Sequence, residues 1–165
     1  MPENLIIRNA VLEDLDAICA LENACFPKAE AASRADFEKR LTQYPNHFWI
    51  LEQSGKIRSM INGMVTNTPN LADEMYHHAN LHEEAGRWQM IFGVETHPDF
   101  RRKGYAGMLL HRCIEQAQQE GRAGLVLTCK KEKIAYYEAF GFFNEGISAS
   151  VHGQTVWYQM RRKCH

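Results

Sequence analysis

One strand–helix–strand run, between Trp88 and Cys129, restricts this chain more than anything else in it. Residues 88–96, WQMIFGVET, read as a buried strand, and residues 125–129, LVLTC, as another. Between them Ala106, Leu109, Leu110, Cys113, Ile114 and Ala117 recur at helical spacing, and Gly121 stops the helix. Buried strands alternating with an amphipathic helix require an α/β architecture layered on a sheet.

The flanking segments extend that architecture. Residues 5–8 read as a short strand, and residues 11–24 carry Val11, Leu15, Ile18, Cys19 and Leu21 at helical intervals before Pro27. Ser33 and Asp36 resemble an N-cap and an acidic first turn, followed by Phe37, Leu41 and Tyr44. Residues 48–51 and 57–65 form strands across the Ser54-Gly55-Lys56 turn. A short helix over 134–140 and two strands near 142–150 and 155–160, parted by His152-Gly153, complete the chain. The expectation is a mixed α/β fold: a single, mostly antiparallel sheet flanked by helices, in one domain over 1–165. A length of 165 residues with 45% hydrophobic content suits one core and hardly two.

Composition excludes several function classes. Nineteen Lys and Arg against 20 Asp and Glu leave a net charge of −1, so no nucleic-acid partner is expected. No apolar run nears the ~18 residues of a membrane span, so no membrane partner is expected either. Residues 1–4, MPEN, lack the features of a secretory leader. Five cysteines without a CxxC pair read as reduced thiols, and the expected location is cytoplasmic. Oligomeric state stays open, a homodimer included. Residues 66–85 form a polar, aperiodic connection whose length implies function or mobility. Its His77, His78, His82 and Glu83 lack both HExxH and an evident third ligand, so no metal is expected.

Chemistry concentrates in residues 98–106, PDFRRKGYA. Arg101, Arg102 and Lys103 precede a helix N-terminus, where each exposed cation is disfavoured by roughly 0.3–1 kcal/mol. A bound anion would reverse that sign, and Gly104 and Ala106 are small enough to let one reach the backbone. The plain alternative is a solvated basic turn. GxxxxGK[ST] and GxGxxG are both missing, which argues against NTPase and dinucleotide sites.

The R-x-x-G-x-A stretch from Arg101 to Ala106 and the Y-x-x-x-G-F stretch from Tyr137 to Phe142 together resemble the GNAT superfamily of N-acetyltransferases. Leu127-Thr128-Cys129, residues 137–142 and the acid-rich first helix ending near Cys25-Phe26-Pro27 look closest to its serotonin (arylalkylamine) N-acetyltransferase branch. This sequence departs from that branch at two strand histidines, whose positions hold Met90 and Phe92, neither able to take a proton.

The resemblance implies acetyl transfer from acetyl-CoA to a primary amine. Arg101, Arg102, Lys103, Gly104, Tyr105 and Ala106 would hold the pyrophosphate, and the main chain at Val94 and Thr96 the pantetheine. Tyr137 would protonate the leaving thiolate. Glu95 is the nearest candidate base, although strict alternation sets it opposite Met90 and Phe92 unless Gly93 marks a bulge. Glu30, His78, His82 and Glu83 are alternatives. Phe26, Met90 and Phe92 would line a pocket for a small apolar or aromatic amine. Two other readings stay open, a protein or peptide N-acetyltransferase and a non-catalytic acyl-CoA-binding regulatory module.

Overall fold

The structure, a computed structural model, describes residues 4–165; residues 1–3, part of the stretch read for a leader, lie outside them. In chain order the elements are β1 (Leu5–Asn9), α1 (Leu15–Cys25), α2 (Arg34–Gln43), β2 (Phe48–Gln53), β3 (Lys56–Asn62) and β4 (Val65–Thr66). β5 (Trp88–Ile91), β6 (Gly93–Thr96), α3 (Tyr105–Gln119), β7 (Gly124–Cys129), α4 (Ile134–Glu138), β8 (Phe143–Ile147) and β9 (Tyr158–Lys163) follow.

Side-chain alternation along β2 decides where the helices go. Phe48 and Ile50, with Met60 of β3, bury against Ile18 and Leu21 of α1 and Phe37 and Leu41 of α2. Trp49 and Leu51 turn to the other face and pack with Leu109, Leu110 and Cys113 of α3. The expected cap of α2 forms as a reciprocal box: the Asp36 amide donates to Ser33 Oγ at 3.1 Å, and the Ser33 amide to Asp36 Oδ2 at 3.4 Å.

The expected single sheet is instead two. One has the order β1-β2-β3-β6 and is antiparallel throughout; the other runs β4-β5-β7-β9-β8, with β5 and β7 parallel. Both strands of one hairpin break at the same level, at Gly63-Met64 on one side and Phe92 on the other. The Phe92 amide donates to the Asn62 carbonyl at 2.7 Å and the Met90 amide to that of Met64 at 2.8 Å, so contact persists across the break. What changes is the partner: β5 adds to β7, while β6 adds only to β3.

The break also resets alternation. Ile91 and Val94 both pack towards α3, whereas Met90 and Phe92 pack with Tyr44 and Met64 on the opposite face. A three-residue step replaces the two-residue one, which brings Glu95 onto the face of Met90 and Phe92. Ile91 opposite Leu127 is the last pair joining β5 to β7. Beyond it β6 and β7 diverge.

The long connection is folded rather than free. Its short helical turns Asp73–Tyr76 and Ala79–Leu81 bury Met75 and Ala79 against Met64, Met90 and Val126. Glu84 anchors its far end, with its carboxylate 3.0 Å from His47 Nε2 and 3.3 Å from the Arg122 guanidinium. His82 accepts the Val65 amide on Nδ1 at 3.0 Å. All five cysteines are unpaired, and among the described residues no helix is long and apolar enough to cross a membrane.

At Gly63 the two strands meet backbone to backbone, since a Cβ there would fall on the Met90 carbonyl. Backbone on both sides leaves little room to relax. Gly63→Ala is expected to cost about 3 kcal/mol, lowering Tm by roughly 6–12 °C in a thermal melt followed by circular dichroism. An unchanged melting temperature would show that this contact does not set the break.

Candidate active site

The divergence of β6 from β7 opens a cleft of about 730 Å³, running from the start of α3 to the loop after α1. Its walls are strands with unpaired edges, which is why backbone groups face into it. β6 is the outer strand of its sheet, and its His97-side end is pinned by the His97 amide on the Arg58 carbonyl at 2.8 Å. Ladder alternation then directs the Glu95 main chain at β3 and those of Val94 and Thr96 at the cleft. The Thr96 carbonyl already accepts from Arg101 Nε at 3.1 Å and Cys25 Sγ at 3.3 Å. For Thr96 only the N–H remains to hold a ligand.

At one end lies the start of α3. Gly104 caps it in the left-handed region (φ 82°) without a side-chain cap, and no acid occupies the first turn. The first turn therefore receives no side-chain cap from the residue that opens it. Arg102 is also left-handed, at φ 65°. A non-glycine residue held there is strained, as in loops shaped for a ligand. Nothing lies within 4 Å of a Cβ built on Gly104, so the approach is open. Arg101, Arg102, Gly104 and Ala106 line this end, which suits a phosphate anion. Of the expected members one, Lys103, is missing from the lining, and Tyr105 lines it while packing into the core. The Lys103 side chain is exposed and not part of the lining, and the Tyr105 ring is buried at 2% exposure in the core.

Glu95 of β6 and Tyr137 of α4 both line the cleft. The Tyr137 ring sits edge-on to Tyr136 at 5.1 Å and to Phe142 at 6.1 Å. Burial raises its phenol above the usual tyrosine range, so it stays protonated at neutral pH. Glu95 is 4% exposed, and no donor of the described residues satisfies either carboxylate oxygen. Burial first, then the neighbouring Glu22 carboxyl, pushes its proton affinity well above the ordinary carboxylate range.

The far end is aromatic and acidic. Phe92, Tyr76, His152 and Trp157 follow one another with ring centroids 4.8, 5.1 and 6.0 Å apart. Arg40 of α2 is buried over the Phe92 ring at 5.0 Å and donates to Asn62 Oδ1 and the Tyr76 carbonyl, both at 2.9 Å. His152 Nε2 donates to the Glu30 carbonyl at 2.8 Å, and Lys130 pairs with the Glu30 carboxylate at 3.0 Å. These contacts tie the loop after α1, the 67–87 connection and the 148–157 loop together over the cleft.

Phe26 and Phe92 line this end as expected, but Met90 does not: it is fully buried beside Met64 and Val126. The reset alternation gave Phe92, not Met90, the place nearer the cleft. Of the alternative bases only Glu30 lines it; His78, His82 and Glu83 lie elsewhere. His82 and Glu84 instead meet His47, with one ligand-type atom from each within 4.8 Å of the others. His82 Nδ1 is taken by the Val65 amide and Glu84 by Arg122, so the group reads as an anchor. Reasoning from sequence missed Glu22, Arg40, Tyr76 and His152. The first two carried a signal, because Glu22 continues the Leu15, Ile18 stripe and Arg40 falls beside Phe37 and Leu41, charges where helical spacing calls for apolar residues.

Comparison with known proteins agrees with this geometry. Residues 15–142 match the acetyltransferase (GNAT) family. The loading GNATL domain of CurA from Lyngbya majuscula superposes with a TM-score of 0.84 at 19% identity, covering 98% of both chains. The GNAT-like decarboxylase of GphF, solved with isobutyryl-CoA, gives 0.84 at 22% identity over 97% of this chain and 100% of that one. The ribosomal-protein-S18-alanine N-acetyltransferase of Escherichia coli gives 0.72 at 19% identity, over 98% and 94%. At such identities the likeness is one of fold.

The α3 end yields a direct test. Gly104→Val places a branched side chain at a left-handed position and in the path of the N–H groups. Acetyl-CoA affinity, measured by calorimetric titration of folded protein, is expected to fall about tenfold or more, the loss of one charge-assisted hydrogen bond. Unchanged affinity would place the phosphates elsewhere.

Proposed function

The chain belongs to the acetyltransferase (GNAT) family, and from that premise we propose that it transfers an acetyl group from acetyl-CoA to the amine of a small aromatic or apolar molecule. One observation carries this reading. A single cleft links an uncapped, Arg-flanked helix start, a free strand edge, a buried unpartnered carboxyl and a protonated phenol.

The first requirement is a neutral amine. An alkylamine of pKa ~10.4 is about one part in 2,500 neutral at pH 7, a handicap near 4.6 kcal/mol. Glu95 is assigned the role of base. Its raised proton affinity brings it closer to that of the amine than an exposed carboxylate could come. Activity needs Glu95 ionised, so it is lost as pH falls through that raised value. The acidic limb of the pH profile should accordingly lie above the ordinary carboxylate range. The two strand histidines of the serotonin N-acetyltransferase branch are absent here, and Glu95 reaches their face because of the break at Phe92.

Bound acetyl-CoA supplies a thioester, an acyl carbon open to attack and a thiolate leaving group. Arg101, Arg102 and the main chain from Gly104 to Ala106 would hold its phosphates, and the free edge at Val94 and Thr96 its amide arm. The Val94 N–H faces the cleft, where a fixed donor stabilises charge developing on a carbonyl oxygen. Tyr137 holds a proton at its hydroxyl for the departing sulfur. Transfer is direct rather than through an acyl-cysteine: burial raises Cys25 and pushes Cys129 to about 11, leaving both as weakly nucleophilic thiols. Five unpaired thiols suit the reducing cytosol as the working compartment.

The acceptor class follows from the far end. The cross-cleft ties at Glu30, His152 and Tyr76 enclose it, which supports a small molecule over a peptide laid along a groove. The aromatic row and the acids Glu22, Glu30 and Glu95 suit a cationic amine beside an apolar or aromatic body. The arylalkylamine branch is the nearest chemical analogue, with a different base.

Thiol release from acetyl-CoA should appear with arylalkyl or apolar amines and stay low with peptides. Activity with peptides alone would overturn the acceptor, and binding without release for any amine would favour a regulatory module. Tyr137→Phe keeps the ring and removes the hydroxyl. It should lower kcat by about 10²-fold at saturating amine with acetyl-CoA affinity nearly intact, Tyr136→Phe serving as control. Normal turnover would assign the proton to another group.

A further inference from the structure

Glu22 stands out among the residues of the cleft to which the mechanism gives no part. It is an acid on the buried face of α1, 6% exposed, with one oxygen fixed by the Ala32 amide at 2.8 Å. Its carboxyl and that of Glu95 are both buried in the wall of the same cleft and neighbour each other there. Two ionised carboxylates offer each other no donor, and no N–H or O–H of the described residues reaches either Glu95 oxygen. That proximity is favourable only with a proton between the two groups. Burying two unshared charges together would be far costlier.

We propose that Glu22 and Glu95 form one proton-sharing carboxyl pair, and that the proton they come to share is the one shed by the incoming ammonium. The inference rests on the reading of Glu95 as base and assigns Glu22 as its positioning residue. The Ala32 amide holds Glu22 in place, so its charge is fixed against Glu95 rather than free to swing into solvent. The nitrogen sheds two protons over the reaction. The first passes to the pair as one N–H bond breaks, leaving the electron pair that attacks the acyl carbon, and then goes to solvent. The second ends on the thiol sulfur by way of Tyr137. One proton is released per amide formed, which balances the reaction.

Other groups around the pair modulate it without supplying the shared proton. Cys25 of α1 adds to the raised proton affinity, while Arg40 of α2 opposes it. Asp36 is engaged by His77 at 2.9 Å, and Glu30 by Lys130 at 3.0 Å. Neither acid is available to replace Glu22. The pairing resembles in principle the two-carboxylate sites whose close like charges force a shared proton.

Glu22→Gln separates this inference from the reading beneath it. The amide keeps an oxygen for the Ala32 N–H and turns a donor towards Glu95, so the variant retains its fold, to be checked by circular dichroism. It removes the second charge and favours ionised Glu95. The acidic limb of kcat/KM should therefore move to lower pH, with the plateau falling by no more than about tenfold because the base is weaker. Glu95→Gln should abolish the limb. If Glu95→Gln removes the limb while Glu22→Gln leaves it in place, Glu95 acts alone and the pair is overturned. If Glu95→Gln keeps the limb, the assignment of the base fails first. Difference infrared spectroscopy of the protein without substrate gives a readout independent of turnover. A protonated-carboxyl band should titrate above the ordinary carboxylate range, vanish in Glu95→Gln and shift to lower pH in Glu22→Gln. A band unmoved by Glu22→Gln would also overturn the pair.

Discussion

The paired interruption of one hairpin governs this molecule. Gly63-Met64 and Phe92 break their strands at the same level, and backbone bonds at 2.7 and 2.8 Å hold the broken halves in register. Each strand can then leave one sheet and join another. Three consequences follow together: β6 acquires a free edge, β7 moves away from it, and side-chain alternation shifts by one residue. A continuous sheet would have none of these. It would satisfy the edge of β6 with a neighbouring strand and leave no room for a ligand's amide arm.

Everything chemical in the cleft is placed by that break. Glu95 sits among Glu22, Cys25 and Arg40 because the shifted alternation carries it across the sheet. Tyr137 lines the same cleft because β7 diverges before feeding α4. The start of α3 closes one end through a glycine in the left-handed region, with two arginines rather than an acid beside it. That charge arrangement disfavours the isolated helix and favours an anion, a local cost retained for binding.

At the aromatic end of the cleft, charge is managed by pairing. Arg40 is buried, and two of its donors are taken by Asn62 and the Tyr76 carbonyl. It serves as a strut between α2, β3 and the long connection. Glu30 links three segments through Lys130 and His152. Glu22 and Glu95 differ, since their pairing contains no cation and requires a proton instead. The site therefore combines a rigid frame of satisfied charges with one carboxyl pair completed only by protonation.

The sequence by itself determined the element types, because their signals are local. The helical spacing of Leu15 and Ile18, the Ser33–Asp36 cap, the Ser54-Gly55 turn and the basic loop ahead of α3 all depend on neighbours within a few residues. The Arg-flanked, uncapped start of α3 and the motif around Tyr137 were legible for the same reason. The tertiary structure alone decided that there are two sheets, which face Glu95 occupies, and that Met90 is core while Tyr76 and His152 reach the cleft. A run such as WQMIFGVET is equally compatible with a continuous and a broken strand. The choice rests on where Gly63 meets Met90, a contact between segments 27 residues apart whose geometry no local pattern encodes. Glu22 and Arg40 show the intermediate case: spacing marked them as buried charges, but only packing supplied the partners that give those charges a use.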